Sequence, residues 1–172
     1  KKEKIQLPIG RLFDRIGLDY VGPFPITERG NKYLLVATEA LTRWPVARAL
    51  SAATAEETVK FMYEEIILQF GVPKAILTDR GTHFVNQVVD GMMDLMGTRH
   101  LRTTAYHPQT NGMTERFNGT LCKALEKLVA DSGEDWDELV PAALFAYRVR
   151  RQTTTGCSPY ELMYGTRPRL PA

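Results

Sequence analysis

At 172 residues the chain is long enough to enclose one domain with a real hydrophobic core. Its apolar fraction of 44% and charged fraction of 24% are those of an ordinary soluble globular protein, and the absence of an apolar run of about 18 residues excludes a membrane-spanning helix. A net charge of +2 is too mild to establish nucleic-acid binding by itself.

No secretory signal is visible. The chain opens with KKEKIQLP, without Met, and closes with the Pro-rich TRPRLPA. Both ends read as linkers, 1–10 and 166–172, around a core at 11–165, so the chain reads as a piece of a longer polypeptide. Cys122 and Cys157 lie far apart and show no CxxC spacing, as expected of reduced, intracellular thiols. With His83, His100 and His107 they make no zinc pattern. The segment from Arg99 to Lys127 is locally basic: Arg99, Arg102, Arg116, Lys123 and Lys127 stand against Glu115 and Glu126.

RIGLDYVG (Arg15–Gly22) reads as a short strand ended by Gly22 and Pro23, and ERGN (Glu28–Asn31) reads as a turn. KYLLVATEA is a nearly continuous apolar run, expected of a strand buried on both faces. RWPVARAL reads as a third strand, with Pro45 marking a break or an edge near its start. Three strands with short turns predict an antiparallel meander.

The period then changes. Thr54 and Glu57 form a capping-box pattern, and Val59, Met62, Tyr63, Ile66, Ile67 and Phe70 follow at helical spacing. Gly71 and Pro73 stop that helix. KAILTD reads as a short buried strand, HFVNQVVDGMMDLMG as a helix ended by Gly97, and RHLRTT as another short strand. AYHPQTNGMTERFNGTLCKALEKLV begins as a stiff polar loop and ends as an amphipathic helix. WDELVPAALFAYRVRR is helical in pattern despite Pro141, and Ser158–Pro159–Tyr160–Glu161 is a capping box that opens a last short helix. The order predicts a mixed α/β domain without internal repeats.

Three acids stand out. Ile16, Leu18 and Tyr20 share one face of the first strand, so Asp19 points the other way with Gly17 and Val21. An acid in an apolar strand needs a partner, a strand-end position or a function. Asp79 follows a buried strand and precedes a Gly-containing turn, where α/β sheets bind ligands and where an Asx turn or helix cap is equally at home. Glu115 stands near the start of a helix, where the macrodipole alone favours an acid. Helix phase puts it away from the core stripe of Met113, Phe117, Leu121, Leu125 and Leu128, on a face with Asn118, Gly119 and Cys122. A solvated helix face would look the same. Taken together, three carboxylates can hold hard divalent cations through oxygen, and two such ions about 4 Å apart serve phosphodiester chemistry.

Asp79 and Glu115 are separated by 35 residues. Asp19, Asp79 and Glu115 thereby resemble the D,D(35)E signature of retroviral integrases and related transposases. LDYVGPFP, LTRWPVARAL, FGVPKAILTDRGTHF, TTAYHPQTNGMTERFNGTL and TTTGCSPYELMYGTRP are similar, in order, to blocks of the integrase core of gypsy-type LTR retrotransposons. The resemblance covers nearly the whole chain. It implies a ribonuclease H-like α/β fold, with a central five-stranded mixed sheet, its first three strands antiparallel, flanked by helices. Asp19 would lie on the first strand, Asp79 after the fourth, and Glu115 on the helix after a mobile active-site loop shaped by Pro108 and Gly112.

The resemblance further implies a two-metal site of Mg²⁺ or Mn²⁺ on the three acids, and in-line 3′-end processing and strand transfer. Tyr106, His107, Pro108, Gln109 and Asn111 would touch DNA ends, Asn118 would support the site, and Arg116 and Lys123 would contact phosphates. The implied partners are double-stranded DNA (element ends and target) and further copies, as a dimer of cores and a tetramer or higher in the full-length assembly. Helices around Trp136–Arg151 are the candidate dimer face. The implied setting is virus-like particles in the cytoplasm, then chromosomal DNA in the nucleus. Zinc-binding amino-terminal and carboxy-terminal domains are not found in this sequence. Two positions depart from the family. Glu39 stands where Asp is frequent and reads as a surface residue or a helper acid, and Gly119 stands where retroviral relatives carry a DNA-contacting Lys. A non-catalytic binding module, a hydrolase of RNA–DNA hybrids and a plain α/β domain with chance acids are the competing readings. Intact acids at all three positions disfavour the first, and the HPQTNG segment has no part in the second.

Overall fold

The computed structural model describes residues 10–102 and 108–172, apart from the side chains at 108–113 and 115. Five strands form one sheet in the order β3-β2-β1-β4-β5. They are β1 (Arg15–Val21), β2 (Tyr33–Glu39), β3 (Pro45–Leu50), β4 (Ala75–Thr78) and β5 (Arg99–Arg102). β1, β2 and β3 pair antiparallel, as the short turns predict, while β4 joins β1 in parallel and β5 joins β4 in parallel. Pro45 opens β3 at the sheet edge, where its missing N–H leaves no interior ladder bond unmade.

Helices cover both faces. On one lie α1 (Ala55–Phe61), a π-helical stretch (Met62–Ile67), α2 (Leu68–Phe70) and α3 (Gln87–Met96). Ile16, Leu18, Leu35 and Ala37 pack there with Phe61, Met62, Ile66, Phe84 and Met93. On the other lie α4 (Pro108–Ser132) and α5 (Trp136–Val149), whose Phe117, Leu121, Leu125, Trp136, Leu139 and Val140 pack on Leu34 and Val36. β2 is thus buried on both sides, as its continuous apolar run requires. The short α6 (Pro159–Tyr164) docks on the β3 end, with Tyr164 edge-on to Trp44 at 5.6 Å. Its capping box is complete, with Ser158 and Glu161 bonded reciprocally.

The structure differs from the sequence expectations in four ways. Thr54 caps α1 through the Glu57 N–H, but the helix then winds into the π stretch. The buried side chains become Thr58, Phe61, Met62 and Ile66, while Tyr63, expected on the apolar face, is 51% exposed. α3 starts at Gln87 rather than near His83, because Asn86 accepts the Val89 N–H and fixes the start there. Pro108–Gly112, expected in a loop, already belong to the backbone of α4. Proline suits the first turn of a helix, where its missing N–H has no partner to lose. Finally, Glu39 is neither a surface residue nor near the acids. It is fully buried at the end of β2, opposite Ile16. Its carboxylate accepts the Thr42 N–H and the Thr42 hydroxyl at 2.6 Å each, and the Leu41 N–H at 3.0 Å. It is the internal clasp of the β2–β3 turn.

Pro141 lies inside α5 and is exposed. A proline within a helix costs about 3 kcal/mol, whereas each large apolar side chain buried returns about 1.5–3. Trp136, Leu139, Val140 and Leu144 are all buried, so packing outweighs the lost hydrogen bond.

Candidate active site

Asp19 stands inside β1, paired across the sheet with Val36, not at the strand's end. Its side chain emerges on the face covered by α4, as the alternation of β1 predicts. Asn118, on α4, donates its amide N–H to Asp19 Oδ2 at 2.7 Å. One turn earlier on the helix, Thr114 approaches Gly17: a Cβ added to Gly17 would lie 3.9 Å from Thr114 Oγ1. α4 thus comes down onto β1 at this point, with room left for a methyl group. Glu115 sits between these two anchor points, so its backbone is held over the Asp19 end of β1. Its side chain is outside the described residues.

Asp79 comes from the neighbouring strand. β1 and β4 pair in register up to Gly17 and Leu77. Two residues further, each chain carries its acid. Asp79 is exposed, and its Oδ1 accepts the Gly81 N–H at 2.7 Å. The Asx turn offered by the sequence is therefore present, and it fixes the carboxylate by one oxygen. Gly81 is needed for contact reasons. A Cβ there would come within 2.7 Å of the His83 ring and 3.0 Å of Asp79 Oδ1. His83 itself stacks edge-on to Tyr20 at 4.6 Å, and its buried Nε2 has no hydrogen-bond partner among the described residues. Spacing tests His83 only as a zinc ligand, and its place beside the Asp79 turn emerges from the fold.

The fit to hard cations rests on the donor set. Among the described residues no cluster of three or more His, Cys, Asp or Glu gathers, and the carboxylate of Glu115, expected as the third member of the set, lies outside them. Asp19 and Asp79 offer anionic oxygens only. Asn118 Oδ1 is buried and has no hydrogen-bond partner among the described residues, while its own amide N–H holds Asp19. Hydrated divalent cations satisfy such acceptors.

Of the expected DNA contacts, Tyr106 and His107 lie outside the described residues, as do the side chains of Pro108, Gln109 and Asn111. Arg116 and Lys123 are exposed on α4. Gly119 faces open space, with nothing within 4 Å of an added Cβ, so the missing lysine is a matter of charge and not of room. Cys122 is half-buried, and burial, then the Glu126 charge, raises its thiol pKa.

The family model described as integrase core domain matches residues 13–108. The chain belongs to the integrase core domain family. Members of this family are polynucleotidyl transferases, and the family resemblance read from the sequence is borne out. The matched segment of this integrase core holds Asp19 and Asp79. Among similar proteins, the retrovirus-related Pol polyprotein from transposon 412 of Drosophila melanogaster is 30% identical over 92% of this chain. The Gag-Pol polyprotein of gibbon ape leukemia virus is 39% identical over 82%. The chain spans only 13% and 8% of those two polyproteins.

Solved structures agree on the fold. The catalytic core domain of BIV integrase superposes with a TM-score of 0.71 at 20% identity, over 87% of this chain and 93% of that one. A simian T-cell lymphotropic virus intasome, in complex with a PP2A regulatory subunit, contains a chain that superposes with a TM-score of 0.76 at 22% identity, over 92% of this chain and 56% of that one. The ribonuclease H-like architecture is therefore the one observed.

Proposed function

We propose that this integrase core carries out 3′-end processing and strand transfer on the DNA ends of a retrotransposon. The observation that supports this most is the Asn118–Asp19 hydrogen bond. It ties the helix bearing Glu115 to the strand bearing Asp19, next to the strand that delivers Asp79. Asp19, Asp79 and Glu115 would hold Mg²⁺ or Mn²⁺, and two such ions, when bound, activate the attacking oxygen and neutralise the leaving one. The protein's own share is positioning. Asn118 holds one oxygen of Asp19, and the Gly81 N–H holds one oxygen of Asp79. Phosphoryl transfer of this kind proceeds by in-line displacement and needs no covalent enzyme intermediate.

The substrates on this reading are the duplex ends of the element and a target duplex, with Tyr106, His107, Pro108, Gln109 and Asn111 near the ends. Arg116 and Lys123 touch phosphates without reading sequence. The working unit is a dimer of cores within a larger assembly. The exposed Pro141, Ala142, Phe145 and Ala146 of α5 give such a dimer an apolar face. The site of action is chromosomal DNA in the nucleus, after assembly in cytoplasmic particles.

The test is strand resealing on a branched DNA that mimics the integrated product, with Mn²⁺, comparing the parent with Glu115→Gln. Resealing by the parent and none by the variant is the expected result. Equal resealing in both would overturn the assignment of the third acid. Silence from the parent and from the full-length polypeptide alike would overturn the enzymatic reading.

A further inference from the structure

A cavity of about 240 Å³ lies where the β2–β3 turn, α4 and the end of α5 meet. Arg43, Arg116, Arg150 and Arg151 all line it, together with threonines from three segments, among them Thr38, Thr120 and Thr153. None of the four arginines is paired with a carboxylate among the described residues. Like charges gathered without an acid repel one another, and an anion removes that cost.

The turn is built to present Arg43. Its φ is +63°, a left-handed conformation that side chains other than Gly, Asn and Asp seldom adopt. The buried Glu39 clasp and the Arg43 N–H to Glu39 carbonyl bond hold it there. Arg43 and Arg150 both stand close enough to act on the Tyr147 phenol, opposing the upward push of burial on its pKa.

The cavity is not the acid site. On α4, Arg116 and Asn118 are two positions apart, about 200° around the helix, so the cavity and Asp19 lie on opposite flanks. Lys123 and Lys127 continue the Arg116 flank in the exposed part of α4. From Arg116 to Lys127 the stripe runs about 16 Å at 1.5 Å per residue. Such a length fits an extended polyanion, since duplex DNA carries one charge per about 1.7 Å of axis. A lone small anion would use only the cavity.

We infer that this cavity seats a backbone phosphate of duplex DNA away from the reacting strand, with the Lys123–Lys127 stripe following the same backbone. The inference rests on the reading of this chain as one that acts on DNA, and it adds a second, non-catalytic contact. Arg43, Arg150 and Arg151 supply the phosphate ligands, and Thr38 supplies a hydroxyl donor, since the Thr120 hydroxyl already donates to the Arg116 carbonyl.

The test is fluorescence anisotropy of a labelled duplex, in EDTA and across a KCl series, with the full 172-residue chain. For Arg43→Gln with Arg150→Gln, affinity should fall about tenfold and the slope of log K against log salt should shrink by about 1.8, two charges at about 0.9 each. Arg43→Gly relaxes the backbone at φ +63°, so it should melt no lower than the parent yet lose DNA affinity as Arg43→Gln does. Lys60→Gln, exposed on α1, should change neither quantity. An unchanged slope and affinity in the double variant would overturn the inference. So would a loss of binding that tracks loss of a dimer in sedimentation, because the arginines would then be meeting an acidic surface of a second copy. Resealing needs Mn²⁺ and this binding does not, so the two readings fail separately. Unchanged slopes beside Glu115-dependent resealing overturn the cavity alone. Absent resealing, by this chain and by the full-length polypeptide alike, beside the slope change overturns the acid site alone.

Discussion

Glu39 offers the sharpest test of the structural reasoning. Replacing it with Ala removes the acceptor of the Thr42 N–H, the Thr42 hydroxyl, the Leu41 N–H and, at 3.4 Å, the Phe13 N–H. Leu41 is 44% exposed, so water can take over its N–H. The Phe13 contact is long and weak. Thr42 is 2% exposed, and its two short bonds have no such substitute. Each buried donor left unpaired costs about 1–3 kcal/mol, so losing the two Thr42 bonds in Glu39→Ala should cost about 2–6 kcal/mol. That is a large part of the roughly 5–15 kcal/mol that holds a domain together. Glu39→Gln keeps the volume and one acceptor oxygen, and should lose about half as much. Urea unfolding followed by circular dichroism measures both. A cost under about 1 kcal/mol for Glu39→Ala would refute the clasp. So would a Glu39→Gln variant of parental stability with weakened Mn²⁺ binding, which is what a helper acid predicts. Distance argues against the helper. Glu39 pairs with Ile16, three residues from Asp19, or about 10 Å along the strand.

Three further outcomes are expected. Gly81→Ala should force the His83 ring or the Asp79 carboxylate to move, and Mn²⁺ titration should show weaker binding while the urea midpoint falls little. Burial raises the Asp137 pKa, but hydrogen bonds from Thr27 at 2.7 Å and Asn31 at 2.9 Å more than offset it, leaving the group below its ordinary 3.8. A depressed carboxylate stabilises the fold above its unfolded pKa and loses that contribution as pH falls through the folded value. Unfolding free energy should therefore drop more steeply below pH 3.8 in the parent than in Asp137→Asn, as read by urea titrations at stepped pH. Leu121 is 1% exposed between α4 and the sheet, so Leu121→Ala should cost about 2–5 kcal/mol with an unchanged denaturant slope.

Much of this was legible in the sequence because it is local or periodic. The alternation in RIGLDYV put Asp19 on the face opposite Ile16 and Leu18, and Asp19 does meet Asn118 there. The Ser158 capping box and the edge proline of β3 are set by neighbouring residues, and both stand as read. The failures come from contacts that close over a distance or change the winding. Nothing in VATEALTRW reveals that the chain after Glu39 folds its N–H groups back onto the carboxylate. Nothing in the spacing of Val59 and Tyr63 reveals a π stretch. Arg43, Arg116 and Arg150 are far apart in sequence and meet only because α5 packs against β3 and α4. One weak sign existed: the QTTT segment after Arg150 and Arg151 is polar and without charge, as the wall of an anion site would be.

The π stretch bears on where this chain can change length. A helix with one i→i+5 stretch contains one residue more than an α-helix of the same rise, so the residues before Met62 and after Ile67 belong to two phases offset by about 100°. Phe70 uses the second phase to stack on Phe13, ring centroids 3.7 Å apart. Removing one residue between Tyr63 and Ile67 would let the segment close into an ordinary α-helix while both ends keep their seats. Single-residue gaps among relatives should therefore collect at this point of the alignment. A deletion scan along 55–70 should find its tolerated positions here and nowhere else in the helix.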